Sequence, residues 1–167
     1  MNIAIVYYSY SGNTDKAAQI VEGLLKSQNN SVKRLRIEAL DESNNFFVQA
    51  FRGLVKKKAK IAPLETDLSV YDLIIFATPV WAREMVPAMR TYLEKAGALS
   101  GKKTAIFVTY GSGLGKEHCL DSLKAAIEAK GASCIGRFSL SQFKVNDRPL
   151  IENLLKENLR LSSFGPS

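Results

Sequence analysis

The sequence predicts an α/β fold: a doubly wound, five-stranded parallel sheet in the order 2-1-3-4-5, with helices on both faces. Three observations carry this. Short continuous apolar runs, such as those at 3–8 and 73–77, alternate with segments of helical period, which is the pattern of βαβ units. Runs that apolar need cover on both sides, so helices must lie above and below the sheet. Three of the segments after strands carry hydroxyls, aromatics or glycines, and they fall at the strand ends where open α/β sheets bind ligands.

Taken in order, residues 2–8 form the first strand. The helix after it places Ala17, Ile20, Val21, Leu24 and Leu25 on one face and ends near Lys26, Asn29 and Asn30. Residues 32–37 form the second strand, whose interleaved Lys33, Arg34 and Arg36 suit a sheet edge, where charge discourages unwanted pairing. Between 44 and 61, Phe46, Phe47, Phe51, Leu54 and Val55 repeat at helical spacing ahead of Lys56, Lys57, Lys58 and Lys60. This reads as a crossover helix with a solvated basic end, against the alternative of an amphipathic helix for a partner or a membrane surface.

Residues 63–70 connect to a central third strand at 71–77, and 78–84 form a loop. Met85, Val86, Met89, Leu93 and Ala96 mark the next helix. A fourth strand at 104–108 leads into a glycine-rich loop at 110–116. Leu120, Leu123, Ala126 and Ile127 then mark a helix, 133–140 a fifth and more polar strand, and Leu150, Ile151, Leu154, Leu155 and Leu159 a last helix. Residues 1–161 make one domain and 162–167 a loose tail.

A chain of 167 residues buries a core without disulfide staples. No apolar run approaches the ~20 residues of a membrane span, and the start lacks a basic n-region, so no membrane span and a cytoplasmic location are expected. Cys119 and Cys134 form no C-x-x-C motif and read as reduced thiols. With one histidine and two cysteines there is little to build a metal site, and none is expected. The net charge of +7 bears on steering and anion binding rather than on fold. It suits acidic or anionic partners, and no motif accompanies it for specific nucleic-acid binding.

The first informative loop is Ser9-Tyr10-Ser11-Gly12-Asn13-Thr14. A helix start has backbone N–H groups without internal partners and the positive end of a dipole, so an anion settles there. Ser9, Ser11 and Thr14 add hydroxyls, Asn13 an amide, and Gly12 lets the backbone close on a ligand. No lysine follows the glycine, which excludes the nucleoside-triphosphate loop and points to a monophosphate. The plain alternative is a helix cap by Ser11 or Asn13 with no ligand.

The run YYSYSGNT resembles the phosphate loop of the flavodoxin family, which holds the phosphate of FMN after the first strand. The likeness spans the chain in length and element order. It implies a non-covalent FMN site in which Thr78, Pro79, Val80 and Trp81 form the second loop, with the Trp81 ring covering one flavin face. Tyr110, Gly111, Ser112 and Gly113 resemble the third loop, whose backbone meets the pyrimidine edge. Core packing is the competing reading for Trp81, and a plain βα turn for the third loop. Arg83 stands beside Trp81 and is read either as a cation near the ring or substrate, or as a surface residue. His118 is too weak a signal for proton transfer, and no catalytic residue is assigned.

The resemblance implies a redox protein moving electrons between a partner protein or small-molecule donor and an acceptor. The alternative is an oxidoreductase acting on a quinone, NAD(P)H or porphyrin-type substrate. A flavin-free binding or signalling module is the third reading, disfavoured because Tyr7, Tyr8 and Ser9 stand where a response-regulator-like protein needs acidic residues.

Overall fold

The computed structural model describes residues 1–40 and 59–159, so the predicted helix at 44–61, apart from its last three residues, and the 162–167 tail lie outside the described residues. Strands β1 (Asn2–Tyr8), β2 (Ser31–Ile37), β3 (Leu73–Trp81), β4 (Glu84–Met85), β5 (Lys103–Tyr110) and β6 (Ser133–Ser141) form one sheet. Helices α1 (Asn13–Lys26), α2 (Pro87–Lys95), α3 (Lys116–Glu128) and α4 (Arg148–Leu159) complete the described elements. The sheet order is β2-β1-β3-β5-β6, with all neighbours on that path parallel. This is the predicted 2-1-3-4-5 arrangement of five parallel strands. One short antiparallel strand, β4, is added beside β3.

Alternate residues of the central strands enter two separate cores. Ala4, Val6, Ile74, Phe76, Ile106 and Val108 pack on one face under α2 and α3, whose Met89, Tyr92, Leu120 and Leu123 cover them. Ile3, Ile5, Leu73, Ile75, Ala105 and Phe107 pack on the other face under α1 and α4, through Val21, Leu25, Ile151 and Leu155. The two-residue period of a strand does the sorting. Each buried aliphatic side chain adds about 1.5–3 kcal/mol of hydrophobic stabilisation.

Among the described residues β2 is an edge strand, as the sequence predicts, and its charged side chains make ion pairs. Lys33 pairs with Glu65, while Arg34 reaches over to α1 and pairs with Asp15 and Glu22. Ala59 to Ile61 are not helical; Ile61 forms an isolated antiparallel bridge with Ala39.

The segment at 78–84 is a correction: it is not a loop. β3 runs on to Trp81, turns at Ala82 and Arg83, and returns as β4, with Val80 opposite Met85 and Trp81 opposite Glu84. Both turn residues have positive φ, +46° at Ala82 and +70° at Arg83, as a two-residue type I′ hairpin requires. The usual Asn-Gly signature is missing, so nothing in the sequence announces the turn. The following helix therefore begins at Pro87, and Met85 belongs to β4 instead.

This hairpin makes the crevice. β1 stops pairing with β3 at Tyr7–Ala77, whereas β3 stays paired to β5 as far as Pro79–Thr109. Beyond Ala77, β3 is an edge on its β1 side, which is where Pro79, lacking an N–H, is tolerated. The loop at 9–12 leaves β1 into this gap.

Candidate active site at the strand ends

The loop after β1 turns into α1 through Gly12, whose φ of +84° closes the turn without a Cβ. No side chain caps the helix at Gly12, which removes the reading of Ser11 or Asn13 as a cap. Instead Asn13 donates its side-chain amide to the Ser11 hydroxyl at 3.1 Å, and the Asp15 backbone N–H donates to Ser9 Oγ at 3.2 Å. An ideal Cβ at Gly12 would meet nothing within 4 Å, so open space lies over the helix start, where the Asp15 N–H is already taken by Ser9. An anion is stabilised in such a position.

Two cavities lie at these strand ends. One of about 330 Å³ is lined by Tyr10, Ser11, Asn13, Pro79, Trp81 and Tyr110, with Thr109 and Gln142 at its wall. The other, of about 530 Å³, lies between Arg83 and Ala82 on one side and Ser112 and Leu114 on the other. Val80 and Gly111 line both, so the two cavities adjoin across these residues as a two-part trough. These volumes are those of small-molecule sites.

The aromatic wall is closely packed. Trp81 is 6% exposed and packs edge-to-face on Tyr8 and Tyr10, with ring centroids 5.7 and 5.6 Å away. It is thus both a core residue and a lining residue, which joins the two readings that compete in the sequence. Tyr110 is held from the other side by Lys116, whose Nζ lies 4.8 Å from the ring centroid.

The remaining predicted residues sit behind this lining. Ser9 is buried below the loop and faces a separate small pocket with Arg36 and Glu38. Thr14 is buried and shares a hydrogen bond of 2.8 Å with Thr109. Thr78 is buried; its hydroxyl bonds the Pro79 carbonyl and accepts from the Val86 N–H. Gly113, at φ +82°, packs next to the Tyr110 ring.

Four lining residues escape the sequence reading: Ala82, Thr109, Leu114 and Gln142. Gln142 lies in a short 3₁₀ turn after β6 and brings its side-chain amide against Gly111. Only the position of β6 beside β5 puts it there, and no local motif marks it.

Behind the hairpin, Glu84 is a buried carboxylate. Arg90 Nη2 and Ser122 Oγ both donate to its Oε2, at 3.1 and 2.9 Å, and His118 Nδ1 lies 3.6 Å from its Oε1. Below it the Cys119 thiol is pushed up to about 12, first by burial and then by the Glu84 charge. Cys119 and Cys134 are both free thiols.

Residues 1–144 match the family of NADPH-dependent FMN reductases. The chain belongs to that family. Membership makes it an FMN-binding, flavodoxin-like redox protein, and the site's donors and rings suit such a cofactor. Solved structures agree in fold. A flavoprotein in complex with FMN from Lactobacillus acidophilus NCFM is 18% identical, covering 89% of this chain and 98% of its own, with a TM-score of 0.67. The two-electron reduced flavodoxin of Megasphaera elsdenii is 23% identical, with 95% and 99% covered and a TM-score of 0.63. Oxidised flavodoxin 1 of Bacillus cereus is 16% identical, with 94% and 98% covered and a TM-score of 0.60. Among the described residues, this reductase-family chain has no helix long and apolar enough to cross a membrane and no cluster of residues suited to a metal.

Proposed function

We propose that the protein is an oxidoreductase that passes electrons from an anionic donor of the reduced nicotinamide class to a small acceptor through non-covalently bound FMN. The two-part trough carries the proposal. Its two ends differ in chemistry: the start of α1 with Ser11 and Asn13, walled by Trp81 and Tyr110, at one, and the Arg83 turn with Ser112 and Leu114 at the other.

In this reading the backbone N–H groups that open α1, with Ser11 and Asn13, hold the phosphate. Ser9 and Thr14 act from behind by keeping the loop in shape. Trp81 and Tyr110 flank the ring, and Gly111 and Gln142 offer hydrogen-bonding groups to its polar edge. FMN supplies the electron chemistry when bound, while the protein contributes binding, orientation and electrostatics. Arg83 anchors a phosphate or carboxylate of the donor, and the net charge of +7 steers it inward. The chain acts as one domain, and its free, buried Cys119 suits a reducing cytoplasmic setting.

An electron carrier docking an acidic redox partner is the second reading. It is favoured by Leu114 and Phe143, which are 75% and 81% exposed near the trough. A visible spectrum with added FMN, followed by steady-state assay with NADPH and a quinone, separates the two. Turnover by the protein alone supports the enzyme; flavin bands without turnover support the carrier; no flavin bands overturn both.

A further inference from the structure

We infer that Glu84 is a positioning residue of the redox site: by pairing with Arg90 of α2 and accepting a hydrogen bond from Ser122 of α3 it holds the Ala82–Arg83 turn and Trp81 in place against the trough. The inference rests on the FMN site proposed above.

Glu84 is on a strand of two residues, both of them buried. Its side chain is only 8% exposed. A buried carboxylate is costly unless charges and donors meet it, and removing a partner leaves an uncompensated charge. Arg90 comes from α2, and Ser122 and His118 come from α3, so the hairpin is pinned to both helices on that face of the sheet. Across the hairpin the register partner of Glu84 is Trp81, the chain's single tryptophan.

The turn between them needs that anchorage. Ala82 and Arg83 are consecutive non-glycine residues with positive φ, a conformation that persists only where surrounding contacts over-determine it. Gly115, the residue before α3, supplies the second contact: an ideal Cβ there would lie within 2.6 Å of Arg83 Cα. The same helix thus contacts the turn through Gly115 and the strand behind it through Ser122 and His118. The strand-end hairpin becomes a fixed wall rather than a mobile loop.

The test compares wild type with Glu84→Gln and Ser122→Ala, using Trp81 emission and its quenching by iodide in the apoprotein, the FMN dissociation constant, and the midpoint potential of the bound flavin. Glu84→Gln keeps the volume and loses the charge, and Ser122→Ala keeps the charge and loses one donor. Each is expected to increase quenching of Trp81 and to weaken FMN binding by roughly tenfold for Glu84→Gln. The potential is expected to shift in the same variants. Arg137→Gln, which breaks an exposed ion pair between β6 and Asp121 of α3 without touching Glu84, should move none of the three. Variants that melt earlier yet keep wild-type Trp81 quenching, FMN affinity and potential would overturn the inference. Wild-type protein that binds no FMN would overturn the site reading itself. If Glu84→Gln fails to fold, Ser122→Ala decides alone by the same readouts.

Discussion

The hydroxyls of Thr14 and Thr109 lie 2.8 Å apart in a fully buried hydrogen bond that joins the start of α1 to the end of β5. Thr14 belongs to the phosphate-type loop and Thr109 lines the trough. The bond ties the buried Thr14, behind the lining, to the wall of the trough, so Thr109 helps to hold the loop in shape. Thr109→Val keeps the shape and leaves one hydroxyl unpaired, which should destabilise the fold by about 1–3 kcal/mol and weaken FMN binding. Urea unfolding and an FMN fluorescence titration check the two effects.

Gly115→Ala faces two penalties at once, a positive φ of +74° and a collision with Arg83. A loss of about 2 kcal/mol or more is expected. The damage should reach the hairpin as well as α3, so Trp81 emission is expected to shift together with the melting temperature. An unchanged spectrum in a destabilised variant would confine the effect to α3.

Tyr7 donates to Asp15 and accepts from Arg34, although it is only 4% exposed. Burial first, then the Asp15 hydrogen bond and charge, push its pKa from 10.0 up to about 12. A raised pKa means the folded state holds the proton more tightly than the unfolded chain does. The associated stability is complete below pH 10 and is lost as pH rises towards 12. Tyr7→Phe should cost about 1 kcal/mol at neutral pH and flatten the stability curve above pH 10. Denaturant midpoints taken between pH 8 and 11.5, alongside tyrosinate absorbance, measure both.

Steering by a net charge of +7 should show in the salt dependence of an anionic donor. Screening acts beyond about 8 Å at physiological ionic strength, so kcat/KM for NADPH should fall as salt rises, while that for a neutral quinone holds steady. Arg83→Gln should raise the KM for the anionic donor by roughly tenfold with a smaller effect on kcat. Equal salt slopes for charged and neutral substrates would remove the steering argument.

The parallel sheet and its strand order were legible in the sequence. Continuous apolar runs such as 3–8 need cover on both faces, and the alternation with helical periods leaves few topologies. The loop at 9–14 could be read because its hydroxyls and glycine act locally, through the backbone next to them. Tertiary structure alone decided the rest. The hairpin at Ala82 and Arg83 has no turn signature, and its positive φ values persist because Gly115 and the Glu84 contacts hold them. Thr109 and Gln142 reach the trough only because β5 and β6 end beside β3 and the loop after β1. Local sequence determines what each segment prefers to be. Which side chains share a cavity, and which strained turn survives, depends on contacts between residues far apart in the chain.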